Sequence, residues 1–150
     1  MPLTYANSPS ADCPFCRVVR GEESALVVCR TLNCLAFFPT TPATLGHTLV
    51  ISKDHIRDLW MTPREIEADL MRMVIRVGHA LKEVLGPDGM NLISSAGQAA
   101  EQTVFHLHLH VVPRWIDDPI GRIWPPKEPW NEAVKEDVAE AVRRACEPGS

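Results

Sequence analysis

His106-Leu107-His108-Leu109-His110-Val111-Val112 places three of the chain's six histidines within five residues, alternating with aliphatic side chains. Such alternation is the period-two signature of a β-strand, whose successive side chains point to opposite faces. The three imidazoles are therefore expected on one face, with neighbours about 7 Å apart. Leu107, Leu109 and Val111 are expected to enter a core behind them. A helix would scatter the same residues around its axis. Two chemistries use a row of imidazoles on a rigid platform. Neutral imidazole is the commonest ligand for transition metals. Alternatively, one imidazole attacks phosphorus while its neighbours supply hydrogen bonds and protons. The strand alone leaves these readings equal.

The preceding segment shifts the balance. Residues 94–103, Ser-Ser-Ala-Gly-Gln-Ala-Ala-Glu-Gln-Thr, form a polar loop of small side chains. In such a loop, backbone N–H groups and the side chains of Gln102 and Thr103 can approach an anion closely. A metal site would more often place a carboxylate or thiolate there, and Glu101 is the sole candidate.

Working outward, short apolar runs at residues 25–29, 34–38, 47–52, 90–94 and 105–112 read as five strands. Thr62-Pro63-Arg64-Glu65 reads as a helix start with Thr62 as cap and Glu65 completing a capping box. The helix that follows carries Ile66, Leu70, Met73, Val74, Val77, Leu81, Val84 and Leu85 as one apolar stripe, and Gly86-Pro87 ends it. Asn131 can cap a last helix with Val134, Val138, Ala141, Val142 and Ala145 on one side. The pattern implies an α+β domain: a mostly antiparallel five-stranded sheet with one long helix and a C-terminal helix.

The whole chain narrows the function classes. Its 150 residues, 45% hydrophobic and 23% charged, suit one compact domain. A net charge of -4 gives no basic field for nucleic acid. No apolar run approaches the roughly 20 residues needed to cross a bilayer. Residues 1–12 read as a flexible leader without the pattern of a signal peptide, so the expected compartment is the cytoplasm. Five cysteines, an odd count, argue for reduced thiols. Cys13-Pro-Phe-Cys16 suits either half of a zinc site or a redox dithiol.

Residues 106–112 resemble the His-φ-His-φ-His-φ-φ signature of the histidine triad (HIT) family of nucleotide hydrolases and transferases. The resemblance extends to Cys13-Pro-Phe-Cys-Arg-Val-Val-Arg-Gly-Glu22, to Leu35-Ala-Phe-Phe38 followed by Pro42, and to Gly46-His-Thr-Leu-Val-Ile-Ser-Lys-Asp-His55. It continues through Gln102 to Arg114. It implies a HIT-like fold over residues 13–115, with residues 116–150 as a C-terminal extension, and homodimers that join two sheets. It also implies cleavage at the α-phosphate of a nucleoside phosphoramidate or dinucleoside polyphosphate. By position, His108 is the nucleophile that forms a nucleotidyl-histidine intermediate, and His110 and His47 flank the α-phosphate, with His106 completing the triad. Gln102 and Thr103 contact phosphate, Phe37 lies near the base, and Ser95 belongs to the substrate loop. No catalytic metal is required.

In family members with a CxxC pair, two histidines complete a structural zinc site; the matching set here is Cys13, Cys16, His55 and His106. Three positions depart from the family pattern. Pro39 stands where many members have a ribose-binding aspartate, Ser95 replaces a frequent asparagine, and Glu101 a frequent glycine. These departures keep open a nucleotide-binding regulatory module with little turnover. A metal-dependent hydrolase using the histidine row as ligands is the other alternative.

Overall fold

A computed structural model describes residues 12–147. All but the last residue of the expected leader therefore lies outside the described part. Three helices and five strands follow in the order α1 (Pro14–Arg20), β1 (Leu26–Arg30), β2 (Cys34–Phe38), β3 (Thr48–Ser52), α2 (Arg64–Leu85), β4 (Gly89–Ser94), β5 (His108–Arg114) and α3 (Glu132–Cys146). The strands form one antiparallel sheet in the order β1-β2-β3-β5-β4. No helix among the described residues is long and apolar enough to cross a membrane.

The alternation in β5 sorts the molecule into two sides. Leu107, Leu109 and Val111 pack with Ala36, Val50, Leu70, Met73, Val77 and Leu81 in the larger core, between the sheet and α2. The long helix lies there because its residues at spacings of three and four are the ones buried. Each large aliphatic side chain so covered contributes roughly 1.5–3 kcal/mol, which makes this interface the main source of cohesion. Leu35, Phe37, Leu49 and Ile51 face the opposite side. There the partly buried Phe15, Val18 and Val19 of α1 pack against them. Register places Leu49 opposite His110 and Ile51 opposite His108, so both imidazoles share this second face.

The structure corrects several sequence expectations. Thr62 does not cap α2: Pro63 occupies the N-cap position without a side-chain bond, and the Thr62 hydroxyl is buried without a partner among the described residues. Proline at the cap fixes the backbone in an extended conformation (φ -64°, ψ 144°) and so sets the direction of entry, but it supplies none of the side-chain bonds of a capping box. Strand β5 begins at His108 rather than at residue 105. The chain bends through His106, and the Leu107 amide bonds the Ile56 carbonyl at 2.6 Å instead of a strand neighbour. Helix α1 was not anticipated, because seven residues are too few for a helical period to stand out. Helix α3 forms as expected, capped by Asn131 Oδ1 accepting the Val134 amide at 3.2 Å. None of its residues is buried, and Val134, Val138 and Val142 are each more than half exposed.

The turn entering β3 fixes the first histidine of the site. Gly46 has φ +81°, a region open to glycine at little cost. An added Cβ would overlap Leu85 Cδ1 and come within 3.0 Å of Leu81 Cδ2. The close approach of backbone to α2 thus requires glycine twice over. Gly86, at φ +56°, has nothing within 4 Å of such a Cβ. Gly46→Ala is expected to lower stability by about 2–4 kcal/mol, strain plus overpacking, and Gly86→Ala by only about 1 kcal/mol. Equal losses in thermal or denaturant unfolding would contradict this account of the turn.

Candidate active site

Four imidazoles line the face opposite α2, and their hydrogen-bond partners fix where each proton sits. A carbonyl oxygen only accepts, a backbone N–H only donates, and a neutral imidazole has one of each function. His108 Nδ1 lies 2.6 Å from the His106 carbonyl, so it carries the proton and Nε2 keeps a free lone pair. The Ala43 amide donates to His47 Nδ1 at 3.0 Å, which places the His47 proton on Nε2. That proton is donated to His110 Nδ1, 2.9 Å away. His110 is left with its own proton on Nε2. A lone pair on His108 and an N–H on His110 therefore stand side by side, with ring centroids 5.0 Å apart.

Burial maintains this arrangement. It lowers the pKa of His47, of His108 and of His110, the last to about 4. For His108 the bond to the His106 carbonyl pulls the other way but is outweighed. For His110 the neighbouring His108 and His47 lower it further. Desolvation disfavours the charged imidazolium, so all three rings are neutral at pH 7. A neutral ring is the nucleophilic form.

His106 stands apart from the row. Its Nε2–H donates to the Ser52 carbonyl at 2.7 Å, and its Nδ1 lone pair faces Cys13 Sγ at 3.4 Å and Cys16 Sγ at 3.5 Å. His55 Nδ1 lies 3.2 Å from Cys16 Sγ. The four donor atoms lie within 4.8 Å of one another. Ligands about 2.0–2.3 Å from a tetrahedral zinc stand roughly 3.3–3.8 Å apart, so the Cys13–Cys16–His55–His106 set fits that ion. Burial lowers the His106 pKa to about 4, which keeps the ring in the form that binds metal. The metal-type cluster found among the described residues thus draws only His106 from the histidine row.

The remaining residues singled out from the sequence are placed as follows. Gln102 is buried (3% exposed). Its Nε2 donates to the Arg57 and Val104 carbonyls, at 2.8 and 3.1 Å, and its Oε1 accepts the Gly97 amide at 2.8 Å. The side chain therefore braces the loop that leads to the histidines. Thr103 is exposed at the loop surface and Ser95 half-buried just after β4. Glu101 has φ +63°, a left-handed conformation that glycine adopts freely and glutamate rarely. Phe37 is buried on β2, its ring 5.7 Å from Phe15. Phe15, which the sequence reading did not single out for the site, stands edge-on to His108 at 5.2 Å and to His106 at 5.8 Å. Its position between the two cysteines was the available signal. The sixth histidine, His79, is exposed on α2.

Comparison with known proteins agrees with the geometry. The HIT domain pattern matches residues 20–115. The adenylylsulfatase HINT3 of Arabidopsis thaliana is 37% identical over 103 residues, which is 69% of this chain and 52% of that protein. The chain thus spans about half the length of that relative. The solved structure of SMU.412c from Streptococcus mutans superposes with a TM-score of 0.85 at 33% identity, covering 95% of this chain and 90% of that one. A Zn-bound histidine triad family protein from Mycobacterium smegmatis, 37% identical, gives a TM-score of 0.68 over 91% of this chain and 98% of its own.

Proposed function

The chain belongs to the HIT-domain family, and on that premise we propose that it is a nucleotidyl hydrolase or transferase in which His108 is the nucleophile. The observation that carries this reading is the free Nε2 lone pair of a neutral His108 beside the Nε2–H of His110. The lone pair attacks the α-phosphorus, forming an N–P bond as the leaving group departs with the electrons of its own bond and takes a proton from solvent. Water then attacks the same phosphorus and gives up a proton to solvent, the N–P electrons return to Nε2, and a nucleoside monophosphate is released. His110 Nε2–H is placed to donate to a phosphate oxygen where negative charge builds up, the kind of fixed donor that typically contributes about 3–4 kcal/mol to a transition state. His47 supports His110 by holding its tautomer. Thr103, Ser95 and Phe37 are assigned to substrate binding, and Gln102 to phosphate binding through the loop it braces. The catalytic unit comprises residues 13–115 and the extension residues 116–150.

Nucleoside phosphoramidates and dinucleoside polyphosphates are the proposed substrate classes; adenylyl sulfate joins them from the name of the plant relative. The test is release of AMP from an adenosine phosphoramidate, a diadenosine polyphosphate and adenylyl sulfate, for wild type and His108→Ala. The wild type is expected to release AMP from at least one of them, and the variant to lose at least about a thousandfold. Tight nucleotide binding without AMP release would instead favour a regulatory binding module.

At the Cys13–Cys16–His55–His106 cluster we assign a structural zinc ion, which would join α1 to the loop after β3 and to the bend before β5. Cys13→Ser with Cys16→Ser is expected to lose the bound metal and to lower the melting temperature by several degrees. A protein purified with zinc far below one equivalent, or a variant with unchanged melting, would remove the assignment.

A homodimer is the proposed assembly. Two uncovered features support it: the open edge of β4 with Leu92 and Ile93 exposed, and the bare valine stripe of α3. Sedimentation velocity is expected to give a dimer that Leu92→Asp weakens; a monomer at micromolar concentration in the wild type would contradict it.

A further inference from the structure

We propose that Phe15 is a positioning residue that couples the cysteine–histidine cluster to the nucleophile, so that a metal at the cluster holds His108 in its reactive orientation. The inference rests on the assignment of His108 as nucleophile and on geometry that assignment did not use.

Phe15 lies in α1 between Cys13 and Cys16, both buried in the cluster. Its ring is nearly perpendicular to three others: His106 at 77°, His108 at 78° and Phe37 at 73°. Edge-to-face packing is the favoured arrangement of such rings. One ring thus touches a cluster ligand, the nucleophile and the apolar floor of β2 together. His108 needs such a neighbour. Turning its ring over about the Cβ–Cγ bond would carry Nδ1 away from the His106 carbonyl and break the 2.6 Å bond. The His110 ring, 5.0 Å away and tilted by 70°, restrains it along the strand. Phe15 restrains it from α1.

What holds α1 is therefore what holds His108. The helix has only seven residues and would not persist alone in water. Its apolar contacts, Phe15, Val18 and Val19, are only partly buried. Its firmest anchors are the two thiols facing His106 and His55 at 3.2–3.5 Å. A metal closing that cluster fixes both ends of the Cys13–Cys16 segment, and with it the ring between them. His106 contributes a second connection, since its ring belongs to the cluster and its carbonyl accepts the hydrogen bond of His108 Nδ1–H. Ligand-supporting contacts of this kind act through orientation rather than through contact with the reacting atoms.

The experiment is 15N NMR of the histidine side chains in the full chain, paired with kinetics. Zinc-loaded wild type is expected to show His108 as a single Nδ1–H tautomer. Zinc-loaded Phe15→Ala, with unchanged metal content, is expected to show mixed tautomers and a kcat lowered roughly tenfold with KM changed far less. Phe15→Tyr, which keeps the ring, should restore both. Removing metal from the wild type should reproduce the mixed-tautomer spectrum. If Phe15→Ala raises only KM and leaves the tautomer intact, Phe15 merely lines the pocket and the proposal fails. It fails equally if metal removal leaves the His108 spectrum unchanged, an arm that decides the matter even where Phe15→Ala does not fold. The spectra need no turnover, so an inactive wild type would count against the proposed reaction without deciding the coupling.

Discussion

A neutral imidazole carries one proton, and the site is organised around where four histidines place theirs. The His106 carbonyl accepts a hydrogen bond from His108 Nδ1–H, the Ser52 carbonyl accepts one from His106 Nε2–H, and the Ala43 amide obliges His47 to point its proton at His110. Three backbone groups thus set the hydrogen-bonding states of four identical side chains: a free lone pair on His108, a lone pair facing the two thiols on His106, an N–H bonded to a neighbouring ring on His47 and a further N–H on His110. The backbone can do this because it is pinned elsewhere. The carbonyl of Pro113 accepts the Thr44 hydroxyl at 2.7 Å, and the Gly46 carbonyl accepts that of Thr48 at 2.8 Å.

The same strand that carries the chemistry also divides it from the core. Leu107, Leu109 and Val111 draw the sheet onto α2 while His108 and His110 turn away. Substantial apolar burial on one side therefore steadies a polar arrangement on the other. Burial also lowers the pKa of His47, His106, His108 and His110, which keeps these four rings uncharged although the ordinary value lies only slightly below neutral pH.

Much of this was legible in the sequence, because alternation and stripes report which face a residue occupies. The five strands, the long helix and the inward leucines of β5 are direct readings of period two and period three to four. What escaped was set by individual contacts rather than by period. Nothing in Thr62-Pro63-Arg64-Glu65 distinguishes a hydroxyl cap from a proline that fixes the backbone unaided. The bend at His106 interrupts an alternation that the residue types continue. Helix α1 is too short to show a period. The cluster ligands were reached through resemblance to a family, since a spacing of 39 residues between Cys16 and His55 has no local signature. Roles within the site are the least legible of all. Gln102 reads as a phosphate contact, yet in the fold its side chain bonds three backbone groups, two of its own loop and one of Arg57.

Cys13 meets His106 across 93 positions of chain, and this separation bears on the order in which the molecule assembles. A ribosome releases α1 long before β5 exists, and a seven-residue helix has no stability of its own to wait with. Strands β1 to β3 and helix α2 can meet in the meantime through contacts nearer in sequence. The contact between α1 and the bend before β5 therefore cannot form until nearly the whole domain has been made, and His108 gains its edge-on neighbour Phe15 only once β5 has joined the sheet.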